Sequence, residues 1–173
     1  MDTGKIKAAI RDVPDFPQPG ILFKDITPVL ADADLYRACI DLFVERHRGT
    51  GVSKIAAIDA RGFLFAGAIC DRLGLGLVPI RKKGKLPYDT YEKTYDLEYG
   101  TATLSVHKDA FEKGEQVVLV DDLLATGGTA AASAELIKQA GGNLVEIDFL
   151  VELTFLKGRE KLGDFEVFAA IAF

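Results

Sequence analysis

Several residue types are scarce in this chain of 173 amino acids, which has no tryptophan, two cysteines and two histidines. Two cysteines cannot build a metal cluster by themselves, and two histidines give little support for zinc hydrolase chemistry. We therefore interpret Cys39 and Cys70 as small core residues of a protein that works in a reducing compartment.

Positive charge and long apolar runs are also scarce. The chain carries 21 Lys and Arg against 26 Asp and Glu, a formal net charge of −5 at pH 7. Non-specific binding to nucleic acid or to an anionic membrane needs a basic face, so both functions are disfavoured. No apolar run approaches the roughly 18 residues of a membrane-spanning helix. The start of the chain is polar and lacks the apolar stretch of a secretion signal. The sequence therefore predicts a cytoplasmic protein.

The rest of the composition is ordinary. Hydrophobic residues make up 49% of the chain and charged residues 27%, as in soluble globular proteins. A chain of this length can build one core that is stable without disulfides. We therefore expect a single domain over residues 1–173.

Helical and extended patterns alternate along the chain. Apolar residues repeat at helical spacing in 34–48, where Asp32 or Asp34 is a suitable N-cap. Strands are predicted at 55–58, 77–80, 117–120, 144–151 and 165–171, with further helices at 62–73 and 129–140, the last ended by Gly141 and Gly142. Unbroken apolar strands separated by helices predict an α/β fold, an open, mainly parallel sheet with helices on both faces.

Two segments interrupt this alternation. Residues 12–27 contain Pro14, Pro17, Pro19 and Gly20, which predict a stiff, irregular loop. Residues 86–107 hold four of the five tyrosines and alternate well enough to form a β-hairpin. We interpret both segments as attachments to the sheet. Open sheets of this class bind ligands at the carboxyl ends of their strands, so the relevant loops follow Ile58, Ile80 and Val120.

The strongest functional signal lies in residues 117–129, VVLVDDLLATGGT. Glycine lets the backbone approach an anion closely, and the N–H groups of a helix start can hold a phosphate. The residues predicted to bind that phosphate are Ala125, Thr126, Gly127, Gly128 and Thr129. The loop is not a Walker loop, which needs a lysine after its last glycine, and the chain has no G-x-G-x-x-G.

Two carboxylates, Asp121 and Asp122, precede this loop. They would repel a phosphate, so they face another group. The vicinal hydroxyls of a ribose, or a bound Mg²⁺, suit two adjacent carboxylates. The segment therefore predicts a cradle for ribose 5-phosphate. The alternative is an ordinary strand–turn–helix in which an aspartate caps the turn.

The segment at 117–129 resembles the phosphoribosyl-pyrophosphate (PRPP) binding signature of the type I phosphoribosyltransferases. Further motifs occur in the order and spacing of the adenine-specific branch of that family: FPQPGILFKDI at 16–26, DARGF at 59–63, RKKGKLP at 81–87, LEYG at 97–100, VEL at 151–153 and KGR at 157–159. The resemblance covers residues 16–161. It implies the fold of that family, with residues 12–27 as a hood over the base and residues 83–106 as a flexible catalytic loop.

The resemblance also implies a reaction, in which adenine and PRPP give AMP and pyrophosphate in purine salvage. Breaking the anomeric C–O bond gives the ribose oxocarbenium character and leaves negative charge on the pyrophosphate. Electrostatic stabilisation of that charge is expected to be a large effect. Mg²⁺ is the implied cofactor, bound mainly through the substrate, with Asp121 and Asp122 as candidate ligands.

Basic residues are expected to meet the pyrophosphate. By resemblance, Arg61 matches an arginine that contacts pyrophosphate, and it is counted here with the catalytic residues. Arg81 and Lys85 are also expected to bind pyrophosphate, whereas Lys82 and Lys83 fit a solvated charged turn better. One cation of this group is implied to serve a neighbouring subunit, so a homodimer is implied.

The LEYG motif supplies the implied proton-transfer residue. Glu98 is expected to exchange a proton with the purine, at N7, because reaction at one imidazole nitrogen changes the basicity of the other. The alternative is an exposed glutamate at a strand end. Tyr99 is expected to contact pyrophosphate and to help close the loop over PRPP, which would exclude water.

The base is expected to bind at the proline-rich segment, whose rigidity lowers the entropic cost of using its backbone groups. By resemblance, the backbone of Leu22 recognises the adenine 6-amino group, and Phe23 and Lys24 line the pocket. A lysine lacks the planar fork that an arginine could lay along a purine. Phe16 is interpreted as a core residue, and a core role is the alternative for Phe23. Ala125 either leaves room for the base over the loop or is a simple turn residue.

Three other functions compete with this interpretation. The chain could be a phosphoribosyltransferase for xanthine, orotate or uracil, although its proline-rich segment is of the adenine type. It could be a regulator that senses PRPP, but with about 15 residues before the motif at 16–26 we expect no DNA-binding domain. It could be an inactive subunit, against which the presence of Arg61, Glu98 and the two aspartates argues.

Overall fold

The computed structural model describes residues 3–16, 18–96 and 100–173. Its strands are β1 (Arg11–Pro14), β2 (Leu22–Asp25), β3 (Lys54–Ile58), β4 (Gly76–Lys82), β5 (Thr90–Asp96), β6 (Thr101–His107), β7 (Gln116–Leu124), β8 (Asn143–Glu152) and β9 (Val167–Ala172). Its α-helices are α1 (Thr3–Ala9), α2 (Thr27–Ala31), α3 (Ala33–His47), α4 (Arg61–Leu73) and α5 (Gly128–Gln139), and two 3₁₀ helices span Thr154–Leu156 and Gly158–Lys161. None of these described helices is both long and apolar enough to cross a membrane.

Seven strands form one sheet in the order β5-β6-β4-β3-β7-β8-β9. Each pair of neighbours among β4, β3, β7, β8 and β9 is parallel, whereas β6 pairs antiparallel with both β4 and β5. The prediction of an open, mainly parallel α/β sheet is confirmed. Because parallel strands end at the same edge of a sheet, Ile58, Lys82 and Asp121 lie near one edge.

Each face of the sheet has its own apolar core, and the central strand β7 contributes to both. Val118 and Val120 belong to the cluster that packs against α3 and α4, whereas Val117 and Leu119 belong to the cluster around α5. Successive side chains of a strand leave opposite faces. A strand buried on both faces is therefore apolar at every position, as the sequence shows.

The helix ends follow predicted local signals. Asp32 caps α3 by accepting from the N–H groups of Asp34, at 2.9 Å, and Leu35, at 3.0 Å. This selects Asp32 from the two predicted N-caps. After α5, Gly141 adopts a φ of +96° and the Gly142 N–H donates to a carbonyl of the last turn at 3.0 Å. The predicted glycine end of this helix is confirmed.

The proline-rich segment is more regular than predicted. β1 and β2 pair antiparallel, with Arg11 opposite Asp25 and Pro14 opposite Leu22, so only the turn between them is irregular. A proline is tolerated at the end of an edge strand, where its missing N–H interrupts no interior hydrogen-bond ladder. Pro17 lies outside the described residues.

Two helices at the start of the chain are not predicted by the sequence patterns. α1 has seven residues and α2 has five, which is too short for an apolar stripe to repeat. Pro28 stands in the first turn of α2, where its fixed φ suits a helix start.

The predicted hairpin at 86–107 is confirmed, but it is part of the main sheet rather than an attachment to it. β6 pairs with β4 through Arg81 opposite Ser105 and Lys82 opposite Leu104. This antiparallel pairing supplies hydrogen-bond partners beyond the apolar run of β4. The strand therefore continues to Lys82, and Arg81 and Lys82 lie within it instead of in the following loop.

Candidate active site

The edge of the sheet where the parallel strands end contains a cavity of about 300 Å³. The residues that follow Ile58, Ile80 and Val120, which were predicted to bind a ligand, all contribute to it, together with one side chain from β5. Its lining includes Asp59, Ala60, Arg61, Lys82, Tyr95, Asp121, Asp122 and residues 123–130. The chain thus brings acidic, basic and glycine-loop elements to one concave site.

The two aspartates of the predicted ribose cradle are consecutive residues of β7, so their side chains leave opposite faces of the strand. Asp122 is 2% exposed, and its Oδ2 lies 2.8 Å from Arg61 Nε in an ion pair. The geometry is not that of an aligned hydrogen bond, and this oxygen accepts none from the described residues. Asp121 Oδ1 accepts from the Asp122 N–H at 2.9 Å.

Burial raises the pKa of both carboxyl groups. For Asp121, loss of hydration is the largest cause of the raised pKa, and the neighbouring charge of Asp122 raises it further. For Asp122, loss of hydration also raises the pKa, and the Arg61 guanidinium opposes the shift. Asp121 is therefore short of partners that favour its charged form, and for Asp122 the single cation Arg61 does not outweigh burial. Sugar hydroxyls or a divalent cation would supply such partners.

The glycine loop between β7 and α5 is held by backbone contacts. Gly127 has a φ of +81°, in the left-handed region. A Cβ on Gly127 would lie 2.3 Å from the Gly158 carbonyl oxygen, and a Cβ on Gly158 would lie 2.3 Å from the Ala125 oxygen. Gly127 is also the N-cap of α5 and has no side chain with which to satisfy the first N–H groups of that helix. An anion in the cavity could accept from them.

Arg61 reaches the cavity because α4 begins in close contact with β7. A Cβ on Gly62 would lie 2.7 Å from the Val120 carbonyl oxygen, so only glycine permits this approach. The peptide bond between Asp59 and Ala60 is cis. Arg61 has a half-exposed side chain, which leaves part of its guanidinium open to a ligand while it pairs with Asp122.

The cations of residues 81–85 differ in their partners and in whether they line the cavity. Arg81 Nε binds Asp59 Oδ2 at 2.8 Å, and Arg81 Nη1 donates to the Lys85 carbonyl at 3.2 Å. Lys83 pairs with Glu92 at 2.7 Å. Among the described residues it is Lys82, the cation given less weight on sequence, that lines the cavity; Arg81 and Lys85 do not.

The β1–β2 hairpin separates the three residues predicted to bind adenine. The Phe23 ring lies 5.5 Å from the Arg61 guanidinium carbon, beside the cavity, and Leu22 is exposed. Lys24 is buried: its ammonium lies 2.5 Å from Asp12 Oδ1 and 4.0 Å from the centre of the Phe173 ring. Because neighbouring residues of a strand face opposite ways, Lys24 is directed away from Phe23.

One predicted core residue is exposed. Phe16 is 50% exposed and stacks edge-on against Phe23, with ring centres 5.1 Å apart. The interpretation of Phe16 as a core residue is therefore wrong, because the turn of the hairpin carries it beyond the sheet.

Two predicted residues, Glu98 and Tyr99, lie outside the described residues. Another tyrosine of the predicted hairpin, Tyr95, was not predicted as a site residue. It lines the cavity, and its hydroxyl lies 3.0 Å from Thr129 Oγ1. The alternation of β5 was the signal that could have indicated it. Tyr91 and Tyr95 share one face of that strand, and both pack against the core around α5.

Comparison with known proteins identifies relatives along almost the whole chain. Residues 27–167 match the phosphoribosyl transferase domain family. An adenine phosphoribosyltransferase of Methylacidiphilum infernorum is 52% identical over 169 residues, which cover 98% of this chain and 94% of that protein.

Solved structures agree with this result. The crystal structure of adenine phosphoribosyltransferase from Thermoanaerobacter pseudethanolicus is 52% identical with a TM-score of 0.95, covering 98% of this chain and 99% of that chain. The Saccharomyces cerevisiae enzyme, crystallised with an imino-altritol bisphosphate and adenine, is 40% identical with a TM-score of 0.92, covering 96% and 97%. With the glycine loop, the paired aspartates and Arg61 meeting in one cavity, this chain belongs to the phosphoribosyltransferase family, among the adenine phosphoribosyltransferases.

Proposed function

We propose that this protein transfers the phosphoribosyl group of PRPP to adenine, forming AMP and releasing pyrophosphate, with Mg²⁺ as cofactor. The observation that carries the proposal is the single cavity that joins the glycine loop, the two aspartates and Arg61. In the reaction, the anomeric C–O bond to pyrophosphate breaks, and a bond from adenine N9 to the anomeric carbon forms. The proton of N9 is released, and AMP and pyrophosphate leave.

PRPP, the phosphoribosyl donor, binds with its 5′-phosphate on residues 125–129. The N–H groups at the start of α5 and the hydroxyls of Thr126 and Thr129 donate to the phosphate oxygens. Asp121 and Asp122 then accept from the ribose hydroxyls at the end of β7. Each such bond favours the charged carboxylate, which offsets the burial that raises the pKa of both groups.

Arg61 is assigned to the departing pyrophosphate. Charge develops on that group as the C–O bond breaks, so a cation fixed beside it stabilises the transition state more than the ground state. Lys82 lines the same cavity and is added to this role. Arg81 and Lys85 remain assigned to pyrophosphate as well, one of them serving the site of a second copy in a homodimer.

The donor set suits Mg²⁺, which prefers oxygen ligands and retains much of its water. Asp121 and Asp122 supply carboxylate oxygens, but Asp122 already faces Arg61 at 2.8 Å. Mg²⁺ would therefore be held mainly by substrate oxygens, with these residues as additional ligands, and would neutralise charge on the pyrophosphate.

Adenine is assigned to the space between the β1–β2 hairpin and the glycine loop. The Leu22 backbone binds the 6-amino group and the Phe23 ring covers the base, next to the Arg61 guanidinium. The Saccharomyces cerevisiae relative was crystallised with adenine. Lys24, whose ammonium is held by Asp12 and Phe173, contributes to the pocket by fixing the hairpin.

The remaining assignments rest on the resemblance. Glu98 exchanges a proton with the purine at N7, and Tyr99 contacts pyrophosphate. Residues 1–173 form one domain with residues 12–27 as the hood. The enzyme acts in the cytoplasm.

The experiment that tests this function measures product formation from PRPP and Mg²⁺ with adenine, hypoxanthine, guanine and orotate separately. We expect AMP from adenine alone, and no product when a chelator removes Mg²⁺. Product from another base would contradict the specificity assigned to the hairpin. No product from any base, with saturable binding of PRPP, would indicate a PRPP sensor or an inactive subunit.

A further inference from the structure

Tyr95 connects the β5–β6 hairpin to the start of α5. It lies on β5, and its hydroxyl is 3.0 Å from Thr129 Oγ1. Its ring also lies against the glycine loop, since a Cβ on Gly128 would be 3.4 Å from Tyr95 Cδ2. An ion pair between Lys93 and Glu135 joins the same strand to the same helix. Tyr95 is therefore held beside the loop by several contacts.

The hydrogen bond between the two hydroxyls has a direction that depends on the ligand. Either oxygen can be the donor when the pair is considered by itself. A threonine hydroxyl has one proton and two acceptor sites, whereas an ionised phosphate only accepts. When Thr129 donates its proton to a phosphate, its contact with Tyr95 persists only if Tyr95 donates to Thr129.

We propose that Tyr95 is a positioning residue of the 5′-phosphate subsite, which orients the Thr129 hydroxyl so that its proton points to the phosphate. The inference rests on the proposed function, since it takes residues 125–129 as the phosphate site. Tyr95 contributes to the affinity for phosphorylated ligands and leaves the affinity for adenine unchanged.

The test is a double-mutant cycle of Tyr95→Phe and Thr129→Val. Tyr95→Phe keeps the ring and removes the hydroxyl, and one neutral hydrogen bond corresponds to about a fivefold change in affinity. We expect the KM for PRPP to rise about fivefold, with kcat and the KM for adenine within about twofold of the unaltered protein. In a Thr129→Val background, Tyr95→Phe should have no further effect on the KM for PRPP.

Two further variants separate positioning from a general structural effect. Tyr91→Phe removes a hydroxyl from the same face of β5, outside the cavity lining, and should leave the KM for PRPP unchanged. Thr129→Ser keeps a hydroxyl, so the effect of Tyr95→Phe should persist in that background. Thermal unfolding of each variant verifies that it is folded.

Direct binding of ribose 5-phosphate, measured by calorimetry, tests the inference independently of turnover. We expect Tyr95→Phe to weaken this binding about fivefold. Equal effects of Tyr95→Phe with and without the Thr129 hydroxyl would overturn the inference, as would unchanged binding of ribose 5-phosphate. Absence of AMP formation by the unaltered protein would count against the proposed function, and the binding experiment would still decide the role of Tyr95.

Discussion

At the scale of single residues, the site contains buried carboxylates whose charged forms are poorly stabilised by the protein itself. The pKa of Asp121 is raised by burial and by the charge of Asp122, and the Arg61 guanidinium offsets only part of that rise. Asp122 has Arg61 as a partner. Functional groups kept ready for a ligand in this way reduce the stability of the free protein.

Replacing Asp121 with asparagine tests this cost. A raised pKa in the folded state means that Asp121 lowers the free energy of unfolding at pH 7. This penalty shrinks as the pH falls below the raised pKa and is lost near the ordinary pKa of the group. We therefore expect Asp121→Asn to be more stable than the unaltered protein at pH 7. The difference should shrink toward about pH 4, near the ordinary pKa of a carboxyl group.

Urea unfolding at both pH values measures this difference, and PRPP binding measures its functional counterpart. Because hydrogen bonds to charged groups are strong, Asp121→Asn should weaken PRPP binding about tenfold or more, and Asp121→Asn with Asp122→Asn should weaken it further. Adenine binding serves as the control. Lower stability of Asp121→Asn at pH 7 would show that burial is not the dominant influence on this group.

The proton-transfer assignment makes a separate prediction. Glu98→Gln removes the ionisable group and keeps the shape of the side chain. We expect kcat to fall about a hundredfold, which is typical for loss of a general acid or base, with KM values for both substrates within a few-fold. Steady-state kinetics would contradict the assignment if the rate stayed within a few-fold of the unaltered protein.

At the scale of elements, the phosphate loop depends on contact with the 3₁₀ helix that begins at Gly158. Gly127 combines a left-handed backbone with an approach to the Gly158 oxygen that leaves no room for a Cβ. The loop is thus positioned by a segment about thirty residues later in the chain, at the end of β8. This segment is tied back by Arg159, which donates to both carboxylate oxygens of Glu152 at 2.7–3.0 Å.

Gly127→Ala should therefore displace the loop. We expect the KM for PRPP to rise about tenfold or more, since the N–H groups at the start of α5 would no longer converge on one phosphate position. Gly67→Ala is the matched control, because a Cβ there meets nothing within 4 Å and the position lies inside α4. That control should stabilise the protein by roughly 0.5–1 kcal/mol without changing the KM. Equal KM values for both variants would exclude a positioning role for the loop contact.

At the scale of the whole molecule, one buried pair joins the last residue of α3 to the middle of β8. His47 Nε2 lies 2.5 Å from Asp148 Oδ2, and both side chains are almost fully buried. Burial raises the pKa of Asp148, and the hydrogen bond from His47 opposes that shift. Beside them, Arg46 forms a double contact with Glu146. The pair contributes to the packing of helix on sheet, and the proposed reaction does not use it.

Breaking this pair from one side should be costly. Asp148→Ala removes the closest partner of the buried His47 and leaves only Glu146 Oε2, 3.8 Å away, so we expect a loss of about 3 kcal/mol in the free energy of unfolding. Replacing both residues, His47→Leu with Asp148→Val, should recover most of that loss. Arg37→Ala, which removes an exposed ion pair with Asp34, should change stability by less than about 0.5 kcal/mol. Urea unfolding distinguishes the three variants. A double variant no more stable than Asp148→Ala would contradict a role for the pair.

The sequence by itself determined the parts of this protein that depend on neighbouring residues. The doubly buried strands have continuous apolar runs, so the alternation of strands and helices, the parallel sheet and its ligand-binding edge could be predicted. The phosphate loop is a contiguous segment whose glycines, threonines and aspartates have local reasons to be there. The glycine end of α5 is of the same kind, and so is the aspartate cap of α3, although only the structure selected Asp32 over Asp34.

Tertiary structure alone decided which distant segments meet. The pairing of β6 with β4 extended that strand to Lys82 and brought Tyr95 to Thr129, 34 residues away. The packing of α4 on β7 placed Arg61 against Asp122. The β1–β2 hairpin directed Lys24 toward Phe173 and left Phe16 exposed. The physical reason is that a side chain's partners depend on strand order and on the packing of whole elements, whereas an apolar period or a glycine turn depends on adjacent residues.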